Sequence, residues 1–243
     1  MDPWRVRVLD ELTPHFETIV FNHRGLGGSD TLDDGYTVEQ FAADAAGIVR
    51  ALGYRRVAVL GFAIGSAESL VLARDFPDLV STVAIAAPSW PSDPSKLDAM
   101  RSRIQREIAS HGYEGYHRSH VDNDTTAFSP EFYRANREVA SALGAALWQG
   151  HATEQVFMRH AAARASYDFG PWIERLSVPV LVTAGADDGV LRGSGTPVQN
   201  ARLLAERLPN ASLRLYPDAR HMLPWQSTVD LVTDLRHFVS KGE

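Results

Sequence analysis

The sequence predicts an α/β fold in which a mostly parallel sheet carries helices on both faces. Three observations predict it. Val57-Ala58-Val59-Leu60, Val83-Ala84-Ile85-Ala86 and Val180-Leu181-Val182-Thr183 are short, continuous apolar runs, as expected of strands buried on both faces. Segments with apolar residues at helical spacing separate such runs, and strands alternating with helices build parallel sheets. Residues 91–172 break the rhythm: they are helical in composition, rich in Ala, Tyr, His and Trp, and contain no clear buried strand. The domain reading is therefore a core of 1–90 and 173–243, with 91–172 as a helical cap inserted over the sheet's carboxyl edge, where open α/β sheets bind ligands.

The elements follow in order. Asp2-Pro3 reads as an N-cap followed by proline at the first helical position. Trp4, Val8, Leu9 and Leu12 then give the opening helix an apolar stripe. Thr18-Ile19-Val20-Phe21 is β-rich and predicts a strand, stopped by the glycine-rich Arg24-Gly25-Leu26-Gly27-Gly28-Ser29-Asp30. Thr37 and Gln40 have capping-box spacing, and Phe41, Ala45, Ile48 and Leu52 share the next helix face until Gly53 stops it. The strand over 57–60 passes through Gly61-Phe62-Ala63-Ile64-Gly65 into a helix holding Leu70, Val71 and Ala73, which ends before Pro77. After the insertion come a strand over 180–183, a helix around Leu203, Leu204 and Leu208, a strand over Leu213–Tyr216, and a closing helix over Val229–Val239.

Bulk composition bounds the function. A chain of 243 residues that is 44% hydrophobic and 22% charged buries a core rather than staying disordered. A formal charge of -6 with no basic stripe argues against nucleic-acid or anionic-membrane partners. The absence of cysteine removes disulfides, thiolate nucleophiles and cysteine-bound metals. Met1-Asp2-Pro3-Trp4-Arg5 is not a signal peptide, and no run reaches membrane-span length, so the expectation is a cytoplasmic protein.

Three segments carry the chemistry. Val59-Leu60-Gly61-Phe62-Ala63-Ile64-Gly65-Ser66 has the strand, turn and helix context of a nucleophile elbow, where flanking glycines let a sharp turn pack close to the strand. The turn presents its central side chain at a helix N-terminus, where backbone N–H groups hold an oxyanion. Here that side chain is the methyl group of Ala63, which cannot attack a carbonyl. Gly185-Ala186-Asp187-Asp188 follows one later strand, and Asp218-Ala219-Arg220-His221 follows the last. The order of elbow, acid and histidine resembles the α/β-hydrolase family, as does the strand-end segment Phe21–Asp30 with its Arg-Gly-x-Gly-x-Ser core. The likeness is nearest to small-substrate members such as enol-lactonases, cofactor-free haloperoxidases and carbon–carbon bond hydrolases.

The resemblance implies an α/β-hydrolase fold and a site in which Ala63 stands at the nucleophile position. Asp188 would hold His221 in one tautomer, Asp187 would cap its loop, and the Ile64 backbone N–H would serve as oxyanion donor. Ser66, three residues on, points elsewhere around the helix and is read as a packing or capping residue. Phe62, Trp90, Trp148, Phe157 and Trp225 are the candidate walls of a small-molecule pocket. His111, His117, His120, Asp122 and Asp124 read as solvated loop and helix surface rather than a metal site, and no metal or cofactor is expected.

The resemblance also implies strands before the first helix, the third ending in His-Gly and supplying half the oxyanion hole; the sequence shows neither. Three resolutions stand open: direct pairing of Thr18–Asn22 with Arg56–Gly61, cover from a second copy, or a sequence that is part of a longer one. Three functions likewise stand open. One is a hydrolase of small carboxylic esters or lactones without its nucleophile. The second is a lyase, cyclase or oxygenase that uses His221–Asp188 as a general base. The third is a pseudoenzyme that binds a ligand. The sequence does not set the oligomeric state.

Overall fold

The computed structural model describes residues 3–89, 97–119, 126–149, 153–189 and 195–242. Four strands, β1 (Val57–Phe62), β2 (Val80–Ala86), β3 (Val180–Gly185) and β4 (Ala211–Tyr216), form one parallel sheet in the order β1-β2-β3-β4. Phe62 pairs with Ala86, and Ala86 with Thr183, so the three strand ends that carry the candidate site lie in register.

Helices cover both faces, and the period of two along each strand decides which residue meets which helices. Val83, Ile85, Val180 and Val182 face a core shared with α2 (Val38–Ala51), α3 (Gly65–Asp75) and α8 (Pro197–Arg207). Ala84, Ala86 and Leu181 face the opposite core, with α1 (Val8–Leu12), α9 (Leu223–Gln226) and α10 (Thr228–Gly242). The doubly covered parallel sheet is the fold class the sequence predicts. Between β2 and β3 the described residues form four α-helices, α4 (Leu97–Ser119), α5 (Pro130–Ala135), α6 (Arg137–Gln149) and α7 (Glu154–Ser166), together with turns and a 3₁₀ helix over Pro171–Arg175. Gly112 interrupts α4 with φ 71°.

Two expectations need correction. The opening helix is broken: Pro3–Arg5 form a 3₁₀ turn, Arg7 sits at φ 73°, and α1 starts only at Val8. A short Val8 N–H to Val6 O bond closes around Arg7, whose guanidinium lies over the Phe132 ring at 5.7 Å. The second correction concerns Thr18–Phe21, which forms no strand and does not pair with β1. A strand exists through its ladder, and β-rich composition supplies no partner. Side chains fix the segment instead. Ser29 Oγ donates to the Asn22 carbonyl at 2.7 Å, and His23 Nε2 meets Glu68 of α3 at 3.0 Å.

Capping chemistry also differs in detail. Thr37 caps α2 by accepting from Gln40 N–H at 3.1 Å, but the Gln40 amide turns to Asp44 rather than back to Thr37. The full reciprocal box forms at Thr196 and Gln199, at the start of α8. Among the described residues no helix is long and apolar enough to cross a membrane.

Candidate active site

β1 ends at Phe62, and Ala63 makes the turn into α3. Ala63 holds φ 52°, a left-handed conformation that costs a residue with a Cβ about 1–2 kcal/mol. Its N–H donates to Ala86 O on the neighbouring strand at 2.9 Å, which pins the turn. A Cβ at Gly61 would collide with the Gly65 carbonyl, so glycine at 61 is what lets α3 start this close to the strand. Ile64 occupies the N-cap position of α3, where helix geometry leaves an N–H outside the helix's own ladder. The strand thus turns sharply into α3 with the methyl group of Ala63 at the centre of the turn. Ser66 places no hydroxyl there: the residue is fully buried, and its Oγ donates to Gly61 O at 3.4 Å.

Asp188 follows β3 and His221 follows β4. His221 Nδ1 lies 3.1 Å from Asp188 Oδ2, and both side chains are buried. A carboxylate oxygen accepts, so in this hydrogen bond it is Nδ1–H that donates. Asp188 Oδ1 is also buried, with no hydrogen-bond partner among the described residues. Asp187 is exposed, and its N–H donates to Ala219 O at 3.2 Å, so it braces the histidine loop through its backbone.

The aromatic candidates separate. Phe62 packs against His221 with centroids 5.1 Å apart and against Trp225 at 5.2 Å, which joins elbow and histidine directly. Trp225 is buried, and its Nε1–H donates to Pro3 O at 3.1 Å. Trp4 completes this group, 5.1 Å from Trp225 and 6.4 Å from Phe62. In the sequence Trp4 stands on a helix stripe, and no local signal ties residue 4 to residues 62 and 225. Trp148 of α6 and Phe157 of α7 pack on Tyr113 and His117 of α4. Burial, then the nearby Glu154 and Tyr116, pushes the Tyr113 hydroxyl up to about 12. Trp90 lies outside the described residues.

Of the metal candidates, His111 is exposed on α4 and His117 sits among aromatic rings, while His120, Asp122 and Asp124 lie outside the described residues. Among the described residues no three His, Asp or Glu side chains converge. The shallow grooves of about 290 and 390 Å³ beside β4 and α10 include neither Ala63, Asp188 nor His221.

An open parallel sheet with a strand–turn–helix elbow, an acid after one later strand and a histidine after the last defines an α/β hydrolase in architecture. The family model described as the alpha/beta hydrolase fold matches residues 1–228, and the chain belongs to that family. It is 29% identical over 249 residues to a non-heme chloroperoxidase of Streptomyces lividans, covering 98% of this chain and 87% of that protein. It is 27% identical over 204 residues to 3-oxoadipate enol-lactonase 2 of Acinetobacter baylyi, covering 84% and 71%. A thermophilic esterase from Thermogutta terrifontis superposes with a TM-score of 0.81 at 21% identity, over 99% of this chain and 85% of the esterase.

Proposed function

We propose that this protein takes a small carboxylic ester or lactone above Ala63 and acts on it by general-base chemistry at His221, without a serine acyl-enzyme. One observation carries the reading. The His221–Asp188 pair is buried and bonded beside an elbow that keeps its strained backbone but offers only a methyl group. The enol-lactonase and esterase likenesses supply the carbonyl class.

In the reaction, Asp188 holds the Nδ1–H and stabilises the imidazolium. His221 Nε2 removes a proton from water as the water oxygen bonds to the carbonyl carbon. The tetrahedral oxyanion meets the Ile64 N–H at the head of α3. Collapse breaks the bond to the leaving oxygen, which takes the proton back from Nε2. Phe62 and Trp225 form the wall nearest His221, and 91–172 acts as the cap, with Trp148 and Phe157 in its own aromatic cluster. General-base catalysis contributes about 10²–10⁴-fold and needs no hydroxyl at position 63.

The test is turnover of p-nitrophenyl acetate and a set of small lactones by the protein and by His221→Ala. The reading expects hydrolysis above buffer that falls about 10²–10⁴-fold in the variant. Turnover indifferent to His221→Ala contradicts it.

A further inference from the structure

Four hydrogen bonds meet at the Gln226 carboxamide. Oε1 accepts from the N–H of Ser129 at 3.2 Å and from the N–H of Arg220 at 3.3 Å. Nε2 donates to Ser129 Oγ at 2.9 Å and to the Asp218 carbonyl at 2.6 Å. An amide has two acceptor sites and two N–H groups, so this one is saturated. Its orientation is fixed by the network, because a flip would turn N–H groups toward N–H groups and a carbonyl toward a carbonyl.

The partners come from two different parts of the chain. Ser129 caps α5 in the inserted segment, where its Oγ also accepts from Phe132 N–H. Asp218 and Arg220 belong to the loop that ends on His221, and Asp218 is held at φ 58°. A further bond ties the same two stretches, from Met222 N–H to Ala127 O at 2.8 Å. On its other side the loop leans on the end of β3. There Asp187 N–H reaches Ala219 O, and a Cβ at Gly185 would collide with the Ala219 carbonyl. The histidine loop is therefore gripped between the acid loop and the insertion.

We infer that Gln226 is a positioning residue that couples the seating of the inserted segment over 127–129 to the aim of the His221 ring. The inference rests on the proposed role of His221 as the base. Lifting 127–129 away removes the Met222 bond and half of the Gln226 network. The 218–222 loop then keeps its contacts with the end of β3 and two bonds to Gln226 but loses its ties to 127–129, and Nε2 shifts from its line to the reacting carbonyl. Misplacement of a catalytic group by about 1 Å costs about 10²-fold. The cap thus sets the rate as well as covering the site.

The experiment compares the protein with Gln226→Ala by histidine side-chain NMR, with the His221 signals assigned through His221→Ala. Backbone hydrogen exchange and ester kinetics are measured on the same samples. The expected result is a shifted His221 ring, exchange rising together at 127–129 and 218–222, and kcat lower by about 10²-fold with KM little changed. A double-mutant cycle with Ser129→Ala is expected to be non-additive. An unmoved His221 ring in folded Gln226→Ala overturns the inference. Should Gln226→Ala not fold, Ser129→Ala carries the same NMR test, with a smaller expected shift and the same overturning result. If no variant turns over any ester, the base reading fails, and the NMR comparison alone decides on Gln226.

Discussion

A Cβ at Gly185 would collide with the carbonyl of Ala219 and fall 2.8 Å from the Arg220 nitrogen. The end of β3 and the loop leading to His221 are therefore in backbone contact, with no room for a methyl group. Gly185→Ala is predicted to destabilise the fold toward the upper end of the about 1–3 kcal/mol usual for overpacking, because the obstacle is backbone rather than a movable side chain. Urea unfolding measures it. A loss below about 0.5 kcal/mol, the range of a neutral surface change, contradicts the geometry.

The strain at Ala63 yields a second prediction. Glycine tolerates φ 52° without a Cβ penalty, a gain of about 1–2 kcal/mol, offset by the about 0.4–1 kcal/mol it adds to unfolded-chain entropy. Ala63→Gly is expected to be neutral or stabilising by up to about 1.6 kcal/mol. Ala63→Val, which forces a β-branched side chain into the left-handed region, is expected to cost about 1–3 kcal/mol. Denaturation midpoints of the two variants should move in opposite directions or split by that margin.

Acid pH acts through Arg24 and Asp44. Burial on its own raises the Asp44 pKa, but hydrogen bonds from Arg24 at 2.7 and 2.8 Å and from Gln40, with the Arg24 charge, outweigh it, and the net shift is downward. A depressed folded-state value means that the contribution is present above the unfolded value, near 3.8, and is lost as pH falls through the folded one. Thermal unfolding between about pH 5 and 2 is predicted to show a steeper fall for the protein than for Asp44→Asn. Parallel curves count against this role.

His160 joins α7 to the same loop. Its ring stacks on Phe41 at 4.8 Å, and its Nε2–H donates to the Arg24 carbonyl at 3.0 Å, while Arg159 reaches the Leu32 carbonyl at 2.7 Å. His160→Ala removes the stack and the hydrogen bond together, a loss of about 2 kcal/mol. Hydrogen exchange over 24–36 and over α7 should rise together. A rise confined to α7 means that the two segments are not coupled.

The sequence made the middle of the sheet legible because β2 and β3 are buried on both faces, which leaves continuous apolar runs. Gly61, Gly65, Asp188 and His221 were legible for another reason: each stands just past a strand, where chain order and local spacing carry the signal. Thr18–Phe21 has strand composition, but pairing is a non-local property, and no other strand lies alongside it in this sheet. Arg7 breaks a helix whose apolar stripe runs straight through it. Trp4 and Gln226 were invisible as site residues because their partners lie far away in the chain, Phe62 and Trp225 for one, Ser129 for the other.

In the proposed mechanism His221, held by Asp188, does the chemistry while position 63 forms no covalent bond. Intact-mass analysis of quenched mixtures with p-nitrophenyl acetate tests it most directly, run on the protein, on Ala63→Ser and on His221→Ala. The expected result is hydrolysis by the protein with no acetyl adduct and no initial burst, an adduct of one acetyl group in Ala63→Ser, and loss of hydrolysis in His221→Ala. A stoichiometric acetyl adduct on the unaltered protein that forms and decays at the rate of turnover would contradict it.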